Sequence, residues 1–594
     1  MADSQTSSSE LYVLDYGAGN VRSIANTLTK LGYSFKWISQ PEDFAKADKL
    51  IFPGVGAFST AVSNLRSQGL FKPLQDYIAS GRPYFGICIG MQILFKDSLE
   101  ARDLLASTIG GTENEGALTD EANWAGLGLI DWEIGKFVPK GKSVPHMGWN
   151  GVTFVRDNAE PGQRDGLSET ESYYFVHSYC APYADDPRIS SWANSVTQYG
   201  EEVFVSTIKK GNVFATQFHP EKSGQAGLEV LRAWLESATN AASGQDVPQS
   251  AARSLSALKQ NVDGFRKRVI ACLDVRSNDQ GDLVVTKGDQ YDVREKDEAS
   301  GRQVRNLGKP VALTGRYYNA GADEICLLNI TSFRNSPLRD QPMLEVVRKA
   351  ANEVYVPLTI GGGIKDTVEP DGTKRSALEV ASEYFRAGAD KVSIGSEAVI
   401  AVEKMMERAG SGGHWTGDGT SAIEQISRAY GRQAVVVSID PKRVYISPET
   451  SPEDTERYSK ETVVGASSLY TLETEKGKSW WYQCTMNGGR VLKSLSAVEL
   501  ARGVEVLGAG EILLNSIDRD GTGLGFDLDL IQLIKSAVSI PVVASSGAGN
   551  EDHFADVFQK TQVEAALAAG IFHRGEVEIS SVKSRCREHG LKMR

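Results

Sequence analysis

A chain of 594 residues is long enough for two or more domains, each with its own buried core. Its hydrophobic content of 41% is ordinary for globular proteins, and no apolar run approaches membrane-spanning length. A formal net charge of −12 excludes binding to nucleic acid or an anionic membrane through a general positive field, so an anionic small molecule must be met by local donors.

The first ten residues are polar, and no basic residue precedes Arg22, so a disordered tail is expected there rather than a signal or transit peptide. The six cysteines (Cys88, Cys180, Cys272, Cys326, Cys484 and Cys586) lie far apart without paired spacing, and the histidines do not cluster. Neither a disulfide framework nor a zinc site is indicated; a reducing, cytoplasmic setting with no metal and no cofactor is expected.

Short apolar strands, Leu11-Tyr12-Val13-Leu14 and Leu50-Ile51-Phe52, alternate with helical segments, the pattern of a doubly wound α/β domain with a mixed sheet. Glycine turns follow both strands, Asp15 to Asn20 and Pro53-Gly54-Val55-Gly56. Then Pro83-Tyr84-Phe85 leads into Gly86-Ile87-Cys88-Ile89-Gly90-Met91-Gln92, and a helical pattern from Met91 to Phe95 leads out. This places Cys88 on a sharp strand-to-helix turn, with glycines on both sides to allow the tight backbone that exposes a nucleophile. A helix N-terminus beyond the sulfur favours thiolate. Gly54 and Gly56 are candidates to present backbone N–H groups as an oxyanion hole. Further on, His219-Pro220-Glu221 offers a base and a carboxylate to orient it, completing triad logic in cysteine form. A buried structural cysteine would need neither the elbow nor the His-Pro-Glu run.

These landmarks, with Tyr174-Phe175-Val176-His177-Ser178-Tyr179 and Gln217 to Lys222, resemble class I glutamine amidotransferases. The resemblance implies a triad of Cys88, His219 and Glu221, with Gln92 binding glutamine. Cys88 would attack the side-chain amide, ammonia would leave, and water would release glutamate from the thioester. The domain is expected over 10–237, ending in the helical stretch Leu228 to Leu235. A linker rich in Ala, Ser, Gln and Asn is expected over 238–260, and a second domain over 261–594.

The second domain repeats itself. Ile270-Ala271-Cys272-Leu273-Asp274 matches Val436-Val437-Ser438-Ile439-Asp440, and Glu324 to Asn329 matches Glu511 to Asn515. Pro357 to Gly363 matches Pro541 to Gly547, and Val392-Ser393-Ile394-Gly395 matches Leu567-Ala568-Ala569-Gly570. Two four-strand halves in the same order, each strand apolar throughout, predict a (β/α)₈ TIM barrel with internal twofold repeat. Active residues then belong at the C-terminal strand ends. Gly362-Gly363 with Gly395-Ser396, and Ser546-Gly547 with Gly570, form two opposed phosphate cradles suited to a substrate phosphorylated at both ends. Asp274 and Asp440 occupy equivalent strand ends, as a general acid/base pair would.

These motifs resemble the cyclase barrel of the imidazole glycerol phosphate synthase family, and the whole chain is similar to its fused, bifunctional members. The resemblance implies that glutamine reacts with the bis-phosphorylated nucleotide precursor phosphoribulosyl-formimino-AICAR-phosphate. The products would be imidazole glycerol phosphate, AICAR ribotide and glutamate. It places the acid/base pair on Asp274 and Asp440 and a mobile first-loop lysine on Lys287. Phosphate-binding residues fall on Gly362, Gly363, Gly395, Ser396, Asp520, Gly521, Gly547, Ala569 and Gly570. Four strands start with charged residues, Arg268, Glu324, Lys391 and Glu511; a salt-bridge cluster closing the barrel is one reading, and the resemblance maps an ammonia gate onto the same positions. Asn329 stands where bacterial members carry Asp, and Gly395 where they carry Asn. An insertion over about 445–483 is expected to form a hairpin of Leu469 to Leu472 and Trp480 to Tyr482 around Lys476-Gly477-Lys478. A monomer acting on small molecules, without nucleic acid or membrane, is expected. A different amidotransferase fused to a sugar-phosphate isomerase barrel, or a glutamine-sensing scaffold, would share this architecture.

Overall fold

The computed structural model describes residues 10–17, 19–102, 124–156, 164–237, 251–261, 263–277, 283–286, 294–297, 301–304, 309–330, 343–369, 371–410, 413–447, 456–465 and 472–594. Contacts divide the chain into two compact units, Met1–Lys142 with Trp149–Phe265, and Ser143–Gly148 with Arg266–Arg594. Among the described residues no helix is long and apolar enough to cross a membrane.

The first unit is built on an eight-stranded mixed sheet. Its order is Lys36–Ile38, Leu11–Leu14, Lys49–Phe52, Tyr84–Ile87, Val213–Thr216, Glu202–Lys210, Ala193–Tyr199, Thr153–Phe154. The first five strands run parallel and the last three antiparallel. Leu11–Leu14, Lys49–Phe52 and Tyr84–Ile87 are buried along their whole length, which is why they are apolar rather than alternating. Helices Val21–Lys30, Phe58–Ser67 and Phe71–Ala79 form the connections. The helix expected over 91–95 is a single turn, Ile89–Gln92, because Phe95 already begins the strand Phe95–Ser98. So short a helix brings little dipole to Cys88. Residues 238–250 lie outside the described residues. From Arg253 the chain bonds back onto the first unit: Arg253 N donates to Val155 O at 2.8 Å, and Tyr183 Oη to Arg253 O at 2.8 Å.

The second unit is a closed barrel of eight parallel strands: Arg268–Ser277, Glu324–Asn329, Leu358–Gly361, Lys391–Ile394, Val435–Ile439, Glu511–Asn515, Val542–Ser545 and Ala565–Ala568. The last strand pairs with the first, Ile270 opposite Leu567, which closes the sheet. Strand periodicity does the rest. Ile270, Cys272, Cys326, Val436, Leu513, Val543 and Leu567 fill the interior as one apolar cluster. Two residues earlier or later along the same inward rows lie Arg268, Glu324 and Glu511 at the strand starts, and Asp274 and Asn515 at the strand ends, with Asp440 four residues beyond Val436. The apolar layers therefore separate the ring of charges at the strand starts from the aspartates at the strand ends.

The first strand of the hairpin expected in the insertion, Leu469 to Leu472, falls largely on residues 466–471, which lie outside the described residues; Leu472 precedes a short 3₁₀ turn, Glu473–Glu475. Ser479–Met486 pairs with Pro441–Tyr445 and Val463–Val464, and forms its tight hairpin forward with Val491–Ser496 around Asn487-Gly488-Gly489. The Asn-Gly-Gly run supplies positive φ at three successive positions, which suits a tight hairpin turn. Buried Arg443 fixes this small sheet to the segment after the sixth barrel strand: its Nη2 lies 2.8 Å from Asp527 Oδ2, and Tyr482 Oη donates to Asp527 Oδ1 at 2.9 Å.

Two candidate active sites

Cys88 lies at φ 51°, ψ −99°, a strained conformation for a residue with a side chain. Sterics on both sides enforce it. A Cβ on Gly86 would lie 2.3 Å from Gly90 O, and one on Gly90 would lie 2.0 Å from Phe52 O. Only glycine fits either position, so the Gly-x-Cys-x-Gly spacing is a packing requirement of the elbow. Tyr84–Ile87 and Val213–Thr216 are parallel neighbours in register, Ile87 opposite Thr216. The residues just past their ends, Cys88 and the run Gln217 to His219, are therefore delivered to the same edge. Cys88 N donates to Thr216 O at 2.7 Å, and His219 N to Tyr174 O at 2.9 Å.

His219 Nδ1 lies 2.8 Å from Glu221 Oε1, with both side chains buried. That bond fixes the ring and leaves Nε2, buried and without another hydrogen-bond partner, for the Cys88 sulfur. Burial opposes a charged ring, but Glu221 and Cys88 outweigh it and push the His219 pKa up to about 10. An imidazolium supplies the field that the one-turn helix does not. A stability consequence follows. A histidine whose pKa rises from 6.5 to about 10 on folding contributes stability in full below pH 6.5 and loses it as pH climbs through about 10. The expected outcome is a thermal midpoint of the first unit that falls between pH 7 and 10, with a flatter profile in Glu221→Gln; identical pH profiles by calorimetry would refute this coupling.

Two further polar side chains sit at the elbow. Gln92 Nε2 donates to Gln217 Oε1 at 3.0 Å and to Tyr179 O at 3.1 Å, and Gln217 Nε2 lies 3.4 Å from Cys88 Sγ. Gln217 was missed as a site residue; its signal was its place two residues before His219, just past the end of the strand beside the elbow. The Pro53 to Gly56 turn lies against the same spot, but it offers Ile89 N the carbonyl of Gly54, at 3.5 Å.

In the barrel, a cavity of about 590 Å³ opens at the C-terminal strand ends. Asp274 and Asp440 border it, as do Gly362, Gly363, Gly395 and Ser396 on one side and Asp520, Gly521, Gly547, Ala569 and Gly570 on the other. Lys287 lies outside the described residues. Asp440 accepts hydrogen bonds from Asn515 Nδ2 at 2.8 Å and Ser438 Oγ at 3.2 Å, yet burial outweighs them and raises its pKa above the usual carboxylate range. Asn515 was not foreseen; it is the partner of Asn329 in the repeat, and both line the cavity. Gly362 and Gly363 take φ of 90° and 80°, and a Cβ on Gly547 would lie 2.2 Å from Gly525 O. Glycine is needed there to turn the backbone and let segments approach closely.

At the opposite end of the barrel interior, Arg268, Glu324, Lys391 and Glu511 alternate in a ring. Arg268 to Glu324 is 2.7 Å, Lys391 to Glu324 2.6 Å and Lys391 to Glu511 2.6 Å, and Arg268 also pairs with Glu511. All four side chains are at most 2% exposed, so each charge depends on its neighbours to offset desolvation. Burial alone would raise the Glu324 carboxyl, but Lys391 and Arg268 together hold it below its ordinary value.

Comparison with known proteins agrees with both units. Residues 12–237 match the class I glutamine amidotransferase family model, and residues 268–578 match that of the histidine biosynthesis proteins. The chain is 50% identical to imidazole glycerol phosphate synthase hisHF of Emericella nidulans, covering 98% of both chains. The Schizosaccharomyces pombe protein of that name is 47% identical over 98% of this chain and 99% of its own length.

The chain belongs to the imidazole glycerol phosphate synthase family.

The chloroplastic hisHF protein of Arabidopsis thaliana is 49% identical over the whole of this chain and 90% of its own. As a fused imidazole glycerol phosphate synthase, the protein is a bifunctional enzyme of histidine biosynthesis with a glutamine amidotransferase and a cyclase domain. An isomerase fusion or a sensing scaffold would not match this family from end to end.

Proposed function

We propose that Cys88, His219 and Glu221 hydrolyse glutamine, with Gln92 in the glutamine site, and that the ammonia is used in the barrel cavity. There phosphoribulosyl-formimino-AICAR-phosphate is converted to imidazole glycerol phosphate and AICAR ribotide. The observation that carries this reading is the barrel pocket itself: two carboxylates between two opposed glycine cradles fit a substrate with a phosphate at each end. Asp440, raised by burial, is suited to give up a proton, and Asp274, on the equivalent strand end, to take one. Gly362, Gly363, Gly395 and Ser396 hold one phosphate; Asp520, Gly521, Gly547, Ala569 and Gly570 hold the other. The ring of Arg268, Glu324, Lys391 and Glu511 acts as the ammonia gate, which spares ammonia from protonation in bulk water. The domains span 10–237 and 261–594, and the enzyme works as a cytoplasmic monomer.

Incubating the protein with glutamine and the bis-phosphate tests this directly. Imidazole glycerol phosphate, AICAR ribotide and glutamate are expected in equal amounts. Glutamate release with the bis-phosphate left intact would contradict the barrel assignment.

A further inference from the structure

The two glycine cradles of the barrel pocket are built differently. Behind Gly395 stands the helix Ser396–Ala409, 14 residues long, whose N-terminal residues line the cavity. A helix of that length brings a positive field to an anion at its start. Behind Ala569 there is only the single turn Gly570–His573, too short to do the same.

What the second cradle has instead is Arg574. Its backbone N–H closes the turn onto Gly570 O at 3.0 Å, and its side chain folds back over the glycine. A Cβ placed on Gly570 would lie 2.8 Å from Arg574 Nη1. Glu576 grips the same guanidinium through Nε at 2.5 Å and Nη2 at 2.7 Å, which leaves Nη1 turned to Gly570. Among the described residues, Arg574 and Lys365 are the only Lys or Arg side chains bordering the cavity. Five carboxylates border it too, those of Asp274, Glu397, Asp440, Asp520 and Glu576. Lys365 follows the Gly362-Gly363 pair and so belongs to the first cradle. A phosphate at the second cradle has one cation within its own segment.

We propose that Arg574 is the side-chain ligand of the phosphate held at Gly547 and Gly570, supplying through Nη1 the charge that the first cradle takes from its helix; this rests on the bis-phosphate reading of the pocket. Glu576 is a positioning residue that presents the fork. A planar guanidinium suits this task because two of its nitrogens can be anchored while a third faces the ligand.

The test is steady-state cyclisation by the full-length protein with ammonium salt as nitrogen source, which takes the glutamine site out of the measurement. A wild-type protein that does not consume the bis-phosphate overturns the reading of the pocket itself. With wild-type turnover in hand, Arg574→Met is expected to raise KM for the bis-phosphate by on the order of 10- to 100-fold, the usual loss of a charged hydrogen bond, with kcat largely retained. Arg574→Lys, which keeps the charge without the fork, recovers part of that loss. Glu576→Gln raises KM by less than Arg574→Met. If Arg574 merely braced the loop through Glu576, all three variants would lower the thermal midpoint and leave KM unmoved. An unchanged KM in Arg574→Met, or in Arg574→Lys if the first variant does not fold, overturns the proposal.

Discussion

Cys88→Ala makes imidazole glycerol phosphate from added ammonium salt but not from glutamine. The sulfur is the only nucleophile at the elbow, so its removal is expected to cost glutamine hydrolysis on the order of 10⁴-fold or more, as for other catalytic nucleophiles. The substitution leaves the scaffold alone. Alanine keeps a Cβ at φ 51°, so the backbone strain of the elbow is no greater than before. The hydrogen bond from the residue 88 N–H to Thr216 O at 2.7 Å is a backbone bond and survives. The barrel has its own closed sheet and core cluster, so its cavity does not depend on the thiol. Ammonia supplied from solution should then support cyclisation at close to the wild-type rate. Loss of both activities in a protein that still melts cooperatively would mean that the two sites are not separable.

The barrel was legible because its signal is global. Eight apolar strands buried on both faces cannot alternate, and a twofold repeat of strand ends gives the topology without any single decisive residue. Asp274 and Asp440 were legible for the same reason: a strand end in a parallel barrel faces the cavity mouth whatever the loops do. The elbow was legible because three residues of it, Gly86, Cys88 and Gly90, are fixed by contacts inside a few ångströms. What escaped depends on pairing between distant segments. Gln217 reaches the sulfur only because Val213–Thr216 lies beside Tyr84–Ile87, and nothing local in the sequence states that adjacency. Asn515 matters through its bond to Asp440, and the two come together only where the fifth and sixth strands pair, across the long insertion that separates them in sequence. In the insertion, the turn at Asn487-Gly488-Gly489 went unread because it depends on Ser479–Met486 pairing both backward with Pro441–Tyr445 and forward with Val491–Ser496. The ring of Arg268, Glu324, Lys391 and Glu511 lies between these extremes. Its members could be picked from the strand starts, but their alternation in space follows from the inward rows of the closed barrel.

Asp274→Asn should reverse the Cys88→Ala phenotype. Asparagine preserves size and most hydrogen bonding but can neither accept nor donate the proton, a contribution typically worth about 10²- to 10⁴-fold. Cyclisation is therefore expected to collapse with glutamine and with ammonium salt alike, while glutamine hydrolysis persists at least at its basal level. Asp440→Asn should weaken cyclisation as well. It removes a carboxyl whose pKa is already raised by burial, while its amide oxygen keeps the acceptor that now takes the bond from Asn515 Nδ2 at 2.8 Å. The measurement is the rate of bis-phosphate consumption at saturating ammonium salt, beside glutamate release from glutamine. Normal turnover by Asp274→Asn would show that the strand-end pair does not carry the proton transfers. The twofold repeat would then explain the fold and the phosphate cradles, but not the chemistry between them.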